Sequence, residues 1–312
     1  MQLTQPLIFE PLSMERVWGG RRLETLYGKR LPPLARIGES WEIVDREDAQ
    51  SVVHEGPLRG AMLNELWNKD RERIFGAGLP DTPRFPLLIK LLDAQERLSV
   101  QVHPPACLAA QLGGEPKTEM WFILDAQPDS DLYAGLNPGV TRADFEQALS
   151  GGNVAELIHR IPVKAGDAIF IPSGRIHAIG AGNVIFEAQQ NSDTTYRVFD
   201  WNRVGLDGKP RALHVAESLQ SIDFGDVEPR LAQPDGDALV QCEHFRVEKW
   251  MLDRGRASGG ERFAIYFVVS GRLECAGREF GPGAFFLVPV SLASTEVKPL
   301  AAGTCVLRTT LP

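Results

Sequence analysis

Short apolar runs, separated at close intervals by glycine and proline, form the dominant pattern along the chain. Residues 85–92 are a continuous apolar run of the kind found in a strand that is covered on both faces. Residues 98–103 alternate with period two, which places Ser99, Gln101 and His103 on one polar face of a strand. Further short runs predict strands at 121–124, 168–171, 184–186 and 196–199. With 30 glycines and 22 prolines as punctuation, this rhythm predicts an antiparallel sandwich or barrel fold.

Helical signals are fewer and lie mainly in one stretch. Thr141 is a suitable N-cap for a helix over residues 142–149, and residues 154–161 and 214–222 are expected to be helical as well. Because 312 residues suggest about two folding units, we place a linker in the acidic, turn-rich stretch 223–240. The predicted units are an N-terminal catalytic domain, 1–230, with a helical insertion at about 141–161, and a C-terminal domain, 231–312.

A degenerate internal repeat relates the two predicted units. Residues 166–177 have the spacing G-x5-P-x4-H, and residues 283–289 repeat the G-x5-P part. In the second copy Ser294 stands where the first copy has its histidine, and Ala264 stands where the first has Glu119. Each unit therefore has the sequence pattern of the same kind of barrel. A metal site is expected only in the first unit, and the second unit is expected to be purely structural.

Charge and cysteine usage exclude several classes of function. Lysine plus arginine total 33 against 41 acidic residues, a net charge of −8, which argues against a nucleic-acid-binding surface. No basic, apolar leader and no membrane-length apolar stretch are present in the sequence. The four cysteines, Cys107, Cys242, Cys275 and Cys305, have no CxxC spacing and predict neither a zinc ribbon nor a disulfide framework. We expect a cytoplasmic protein that is a monomer or homodimer and has no membrane or nucleic-acid partner.

Four side chains form a candidate metal site. Gln101 and His103 share a strand face, Glu119 opens the next strand, and His177 ends the G-x5-P-x4-H segment. One amide oxygen, two imidazoles and one carboxylate suit zinc or another divalent transition ion. The remaining histidines, His54, His159, His214 and His244, are interpreted as packing residues.

Three cations are expected near this site. Lys90 interrupts an apolar run, where a buried ammonium must be answered by an anion such as Glu119 or Glu187, or must extend to solvent. Lys117 and Arg197 can join it, although each taken singly would be a surface residue by default. Together they point to an anionic small molecule such as a sugar phosphate. Arg16, Arg21 and Arg22 are interpreted as solvated surface rather than as part of the pocket mouth.

In these segments the chain resembles the type I mannose-6-phosphate isomerases of the short bacterial form, which are two-cupin proteins. The resemblance rests on residues 17–20, 37–42, 98–104, 117–121, 166–177 and 189–197 with Asp200. It implies a mainly β fold of two jelly-roll barrels with a few short helices. It further implies one Zn2+ per chain bound by Gln101, His103, Glu119 and His177. Arg197 is implied to be catalytic, and Ser99, Lys90, Lys117 and Glu187 fall at active-site positions. Longer relatives carry a substantial helical domain where this chain has only the stretch 141–161.

The expected activity is interconversion of mannose 6-phosphate and fructose 6-phosphate through an enediolate. We assign catalysis to Arg197, Lys117 and Glu187, and substrate binding to Ser99, Lys90 and Lys117. Arg197 would stabilise the enediolate, and the base is either Glu187 or a lysine whose pKa burial lowers. Alternatives are another cupin sugar-phosphate isomerase, a non-haem iron dioxygenase, since two histidines and a carboxylate also suit iron, and a non-catalytic sugar-binding bicupin.

Overall fold

The computed structural model describes residues 3–258, 260–292 and 295–312. In chain order the strands of this part of the chain are β1 (Leu12–Gly20), β2 (Ile37–Ile43), β3 (Leu87–Ala94), β4 (Val100–Val102), β5 (Glu119–Ala126), β6 (Asp131–Leu136), β7 (Ile158–Pro162), β8 (Ala168–Ile171), β9 (His177–Ile179), β10 (Asn183–Gln190), β11 (Tyr196–Phe199), β12 (Ala238–Gln241), β13 (Arg246–Leu252), β14 (Arg256–Ala257), β15 (Ala264–Ser270), β16 (Leu273–Cys275), β17 (Arg278–Phe280), β18 (Phe285–Val288), β19 (Glu296–Pro299) and β20 (Thr304–Thr310). The helices are α1 (Arg22–Tyr27), α2 (Leu63–Lys69), α3 (Arg71–Ile74), α4 (Ala106–Ala109), α5 (Arg142–Gly151) and α6 (Val215–Ser221), with 3-10 turns at Val154–Leu157 and Val290–Leu292.

Two antiparallel sheets form a sandwich from the strands that precede residue 200. Their strand orders are β1-β2-β3-β10-β5-β8 and β11-β4-β9-β6-β7. Trp121 and Ile185 of the first sheet share an apolar core with Leu132 and Ile179 of the second. The expected mainly β architecture with a few short helices is confirmed.

The strands after residue 237 form a second pair of sheets, ordered β12-β13-β20-β15-β18 and β14-β19-β16-β17. The order β12-β13-β20-β15-β18 repeats the order β2-β3-β10-β5-β8 of the first sandwich strand for strand. Glu119 opens β5 and Ala264 opens β15, as the internal repeat aligns them. Ser294 lies outside the described residues, and the division into 1–230 and 231–312 stays a prediction.

The two sandwiches pack against each other through an aromatic layer. Phe186 stacks on Phe267 at a centroid distance of 5.8 Å, and Phe267 stacks on Phe285 at 4.5 Å. The six-stranded sheet is thereby covered on both faces, and every residue of β3 is buried. Double coverage explains why β3 is a continuous apolar run rather than an alternating one.

The helical insertion differs in part from the prediction. Thr141 caps α5 as expected, with its hydroxyl accepting from the backbone N–H of Asp144. Residues 154–157 form a 3-10 turn, but 158–161 lie in strand β7, where the sequence predicts a helix. The helical spacing of apolar residues is overridden because β7 pairs with β6 at the edge of its sheet. Among the described residues, every helix is too short or too polar to cross a membrane.

Candidate active site

One wall of the candidate site is a row of side chains across three neighbouring strands. Gln101 of β4 lies opposite His177 of β9 on one side and Arg197 of β11 on the other. Adjacent strands are about 4.8 Å apart, so directly paired residues present their side chains to the same face. Accordingly, Gln101 Nε2 lies 3.2 Å from His177 Nε2, and Ser99 Oγ lies 3.4 Å from Gln101 Oε1.

The facing wall is a second row, on the six-stranded sheet. Glu187 of β10 is paired with Lys90 of β3 and with Trp121 of β5. Glu187 accepts a hydrogen bond from Trp121 Nε1 at 2.9 Å and lies 3.4 Å from Lys90 Nζ. Glu119 is two residues before Trp121 on the same strand, so it points into the same space. The charge of Lys90, which interrupts the apolar run, is therefore compensated by the buried carboxylate of Glu187.

A buried two-histidine, one-carboxylate cluster lies between the rows. The ligand atoms of His103, Glu119 and His177 all lie within 4.8 Å of one another. Each Nε2 is 3.5 Å from an oxygen of Glu119. His103 Nδ1 is bonded to the carbonyl of Thr194 at 2.8 Å, and His177 Nδ1 to that of Arg175 at 2.9 Å. Because a carbonyl can only accept, each Nδ1 carries the proton, and each Nε2 lone pair faces the carboxylate.

The protonation states of the cluster suit a metal ion. Burial, followed by the charge of Lys117, lowers the pKa of His103 to about 3, and burial lowers the pKa of His177. Burial by itself would raise the pKa of Glu119, but Lys117 and His103 outweigh it and lower that pKa well below its ordinary value. Both imidazoles are thus neutral and the carboxylate is ionised at neutral pH, as metal ligands must be.

The same atoms lack hydrogen bonds to the described part of the chain. Among the described residues, His103 Nε2 and both carboxylate oxygens of Glu119 are buried without a hydrogen bond. Buried polar atoms are normally satisfied, and a divalent cation would satisfy all three. The donor set therefore fits the predicted metal, with the Gln101 amide beside it.

A cavity of about 290 Å³ opens beside the cluster and joins the two rows. It is lined by all the predicted residues outside the buried cluster, namely Lys90, Ser99, Gln101, Lys117, Glu187 and Arg197, and by Arg16, Trp18, Glu39, Leu92, Leu98, Trp121, Ile179, Asp193, Thr195, Arg211 and His214. The structure thus brings the sequence-predicted site residues to one place, with His103, Glu119 and His177 buried behind Gln101 and Lys117.

The pKa values of Lys117 and Glu187 are both raised, with opposite consequences for their charge. Burial would lower the pKa of Lys117, but Glu119, 3.2 Å from its Nζ, and Glu187 outweigh burial and raise that pKa. The pKa of Glu187 is raised by burial and by Glu119, against the opposing charges of Lys90 and Lys117. The cavity therefore contains the Lys117 ammonium, which stays charged, and the Glu187 carboxyl, which binds a proton more readily than an ordinary glutamate does.

Three residues that line the cavity were not predicted from the sequence to belong to the site. Arg16, interpreted as solvated, lines the cavity and pairs with Glu39 at 3.1 Å. His214, interpreted as a packing residue, lines it too, and its Nδ1 accepts the backbone N–H of Arg197 at 3.2 Å. Arg211 had no signal in the sequence, because residues 200–214 lack any strand or helix periodicity.

Comparisons with known proteins agree with this geometry. The family model for the catalytic domain of type I phosphomannose isomerase matches residues 8–137. The mannose-6-phosphate isomerase ManA of Bacillus subtilis is 37% identical over 96% of this chain and 97% of its own. The probable mannose-6-phosphate isomerase GmuF of the same organism is 36% identical over 97% and 98%. The crystal structure of the B. subtilis mannose 6-phosphate isomerase matches with a TM-score of 0.87 and 30% identity, covering 98% of this chain and 99% of that one.

Proposed function

Because the chain belongs to the type I phosphomannose isomerase family, we propose that it interconverts mannose 6-phosphate and fructose 6-phosphate. The observation that carries this proposal is the buried cluster of His103, Glu119 and His177 at the side of a cavity rich in cations. Five basic side chains and three acidic ones line the cavity, a balance that favours an anionic ligand.

The metal would be held by His103, Glu119 and His177, with the Gln101 amide as the fourth group. Zn2+ is the ion we propose, one per chain, since nitrogen and oxygen donors in this number suit it. When bound, such an ion supplies Lewis-acid polarisation of sugar oxygens.

Arg197 and Glu187 are the groups we assign to the proton transfer. Isomerisation removes the proton from C2, returns one to C1, and builds negative charge on the oxygens between the two steps. Arg197 lines the cavity half-buried, and its Nε is buried without a hydrogen bond, so the guanidinium has capacity for that charge. The raised pKa of Glu187 increases its affinity for a proton, as suits a group that takes up a proton and returns it. The raised pKa of Lys117 disfavours it as the base and leaves it as a charge-stabilising group.

Lys90 and Ser99 complete the proposed substrate site, together with Lys117. We assign catalysis to the N-terminal domain, 1–230, and a structural role without metal to the C-terminal domain, 231–312. Ala264 at the position equivalent to Glu119 supports the absence of a metal site there.

The decisive experiment follows conversion of mannose 6-phosphate to fructose 6-phosphate in the metal-loaded wild type and in Arg197→Ala. We expect a loss in kcat of about 100- to 1,000-fold, as when one charge-stabilising donor is removed. Arg142→Ala, at an exposed arginine of α5, is the control and should retain full activity. Near-normal turnover in a folded, metal-loaded Arg197→Ala protein would remove this residue from the mechanism.

The alternatives give different outcomes in the same preparation. Oxygen uptake with added Fe(II) and no ketose formation would favour a dioxygenase. Binding of mannose 6-phosphate without turnover would favour a sugar-binding protein. Loss of bound metal in His177→Ala is expected under the proposed ligand set, and unchanged metal content would contradict it.

A further inference from the structure

One buried carboxylate beyond the metal cluster gathers two arginines. Asp200, immediately after β11, accepts hydrogen bonds from Arg211 Nε at 2.7 Å and Nη2 at 2.6 Å, and from Arg203 Nη2 at 2.8 Å. Burial would raise the pKa of Asp200, but the hydrogen bonds from Arg211 and Arg203 outweigh it and lower that pKa. The two parallel bonds fix the plane of the Arg211 guanidinium.

The turn that follows Asp200 is strained and tied down. Trp201 and Asn202 both adopt left-handed backbone conformations, with φ of 55° and 54°, which non-glycine residues rarely do. Trp201 Nε1 and Arg203 Nη1 donate to the carbonyls of residues 97–98 at 2.7 and 2.6 Å. Strain of this kind persists only where surrounding contacts impose it, and it clusters at functional sites. Asp200 is therefore held in a fixed position next to the start of β4.

Arg211 lines the cavity with part of its guanidinium not bonded to Asp200. Its Nε and Nη2 are taken by Asp200, and Nη1 has no hydrogen bond among the residues that the structure describes. Arg211 and Arg197 both line the cavity, whereas Arg203 does not. Arg197 Nη1 donates to a neutral carbonyl, that of Ala212, at 2.9 Å. Two guanidiniums thus border the cavity: that of Arg211 is paired with Asp200, and that of Arg197 is bonded to the Ala212 carbonyl.

Arg211 lies at the end of the cavity away from the metal cluster. Across the sheet the order of side chains is His177, Gln101 and then Arg197. The segment 211–214 lies beyond Arg197, because the backbone N–H of His214 donates to the Arg197 carbonyl at 2.8 Å. A substrate whose reacting carbons lie near the cluster would extend its other end towards Arg211.

We propose that Arg211, oriented by Asp200, binds the phosphate group of the sugar phosphate, so that Arg211 is the residue that selects phosphorylated sugars. The proposal rests on the proposed function for the identity of the substrate. A planar guanidinium with a free edge matches the geometry of a phosphate dianion, and Arg197, the other guanidinium at this end of the cavity, is already assigned to the enediolate. Asp200 is a positioning residue that acts through Arg211.

The test measures inorganic phosphate binding by calorimetry, and kcat and KM for mannose 6-phosphate, in metal-loaded wild type, Arg211→Met, Arg203→Met and Asp200→Asn. Loss of a charge-assisted hydrogen bond should weaken phosphate binding and raise KM by about 10- to 100-fold in Arg211→Met. The kcat value should change by less than about threefold. Asp200→Asn should raise KM in the same way with kcat retained, a split that a merely structural defect would not produce.

Arg203→Met is the matched control, since it removes an arginine from the same carboxylate but not from the cavity wall. Its phosphate affinity should stay within about threefold of the wild type. Unchanged phosphate affinity in a folded Arg211→Met protein would overturn the proposal. An equal loss in Arg203→Met, or no phosphate binding by the wild type at any accessible concentration, would also overturn it. If the wild type binds phosphate but does not isomerise mannose 6-phosphate, the proposed function fails while the role of Arg211 is still decided by the binding data.

Discussion

Replacing Lys90 by methionine tests whether the buried carboxyl of Glu187 depends on this lysine for its charge. Lys90 Nζ lies 3.4 Å from Glu187 and 3.9 Å from Glu39. Glu39 keeps a second partner in Arg16, at 3.1 Å, so its charge remains compensated in the variant. Glu187 keeps its hydrogen bond from Trp121 but loses the nearer cation. The substitution therefore leaves Glu187 buried with the charge of Lys117 alone to compensate it.

Proton uptake by Glu187 limits the cost of this change. Breaking a buried ion pair commonly costs about 3–5 kcal/mol when the remaining charge cannot be neutralised. A carboxyl with an ordinary pKa of 4.5 can instead be protonated at pH 7 for about 1.36 kcal/mol per pH unit, or about 3.4 kcal/mol at most. Because the pKa of Glu187 is already raised in the folded wild type, part of that cost is present before the mutation. We expect a loss of about 2–3 kcal/mol at pH 7.

The pH dependence has a definite sign. A carboxyl whose folded pKa is raised destabilises the fold above its unfolded pKa and has no effect below it. The penalty in Lys90→Met should therefore fall to no more than about 0.8 kcal/mol at pH 5, half a unit above 4.5. Calorimetric melting of the metal-loaded proteins, at about 2–4 °C per kcal/mol for a unit of this size, resolves both values.

Lys69→Met is the control, because Lys69 forms an exposed i,i+4 pair with Glu65 and should change stability by less than about 0.5 kcal/mol. The double variant Lys90→Met/Glu187→Gln should lose less than Lys90→Met alone. A loss near 5 kcal/mol that persists at pH 5 would mean that Glu187 stays ionised without Lys90, and the reasoning would be wrong. A loss near zero at pH 7 would show that the pair does not stabilise the fold.

The other predictions concern the metal, the support of Arg197 and the second sandwich. Chelation of the loaded protein should abolish isomerisation and lower Tm, with both restored by Zn2+, because an ion that binds only the folded state stabilises it; an unchanged Tm would contradict the ligand assignment. His214→Ala should lower kcat about 10- to 100-fold, because Arg197 loses the hydrogen bond that positions its backbone. His214→Asn should retain most activity, because its Oδ1 can accept the same N–H. Equal losses in the two variants would show that this hydrogen bond does not position Arg197. Arg308→Met should cost roughly 2–3 kcal/mol in thermal melting, because buried Glu248 loses its 2.6 Å hydrogen bond from Arg308 and keeps only Arg246 at 2.9 Å. KM for mannose 6-phosphate should stay unchanged, and an altered KM would contradict a structural role for the second sandwich.

Strands with a continuous apolar or a regularly alternating pattern were predictable from the sequence, and strand β2, which has neither pattern, was not. The run at 85–92 corresponds to β3, and 196–199 corresponds to β11. Strand β2 carries no such signature because Glu42 is buried within it. Glu42 is satisfied by Ser40 at 2.7 Å and by Lys29 at 2.7 Å, and Lys29 lies outside the strand. Such satisfaction depends on tertiary contacts that periodicity cannot register.

The residues of the candidate site also fall into two groups, those that the sequence could place and those that it could not. The alternation around Gln101 and the position of Glu119 at a strand start are local properties, so the sequence could place these residues on strand faces. Arg211 and His214 lie in an irregular segment whose position is set by Asp200 and by the backbone of Arg197. Their roles become visible only when strands distant in sequence are brought together.

The two sandwiches also carry an internal ion pair at the same place in the sheet, with the charges exchanged. In the first sandwich the paired residues across β3, β10 and β5 are Lys90, Glu187 and Trp121. Glu119, at the start of β5, adds a further carboxylate whose oxygens have no hydrogen-bond partner among the described residues. Lys117, 3.2 Å from Glu119, compensates part of this charge, but the Glu119 oxygens and His103 Nε2 have no hydrogen-bond donor among the described residues, which is the arrangement that binds a metal cation.

In the second sandwich the equivalent row across β13, β20 and β15 is Glu248, Arg308 and Tyr266. Arg308 donates to Glu248 at 2.6 Å, to the Tyr266 hydroxyl at 3.2 Å and to the carbonyl of Ser258 at 3.3 Å, so its fork is occupied from within the chain. Ala264 replaces the additional carboxylate, and no ligand atom is left over at that position. A self-contained pair with a fixed guanidinium at its centre repels a metal cation instead of needing one. The exchange of charges within one repeated topology thus supports our proposal that the metal is bound in the first sandwich and not in the second.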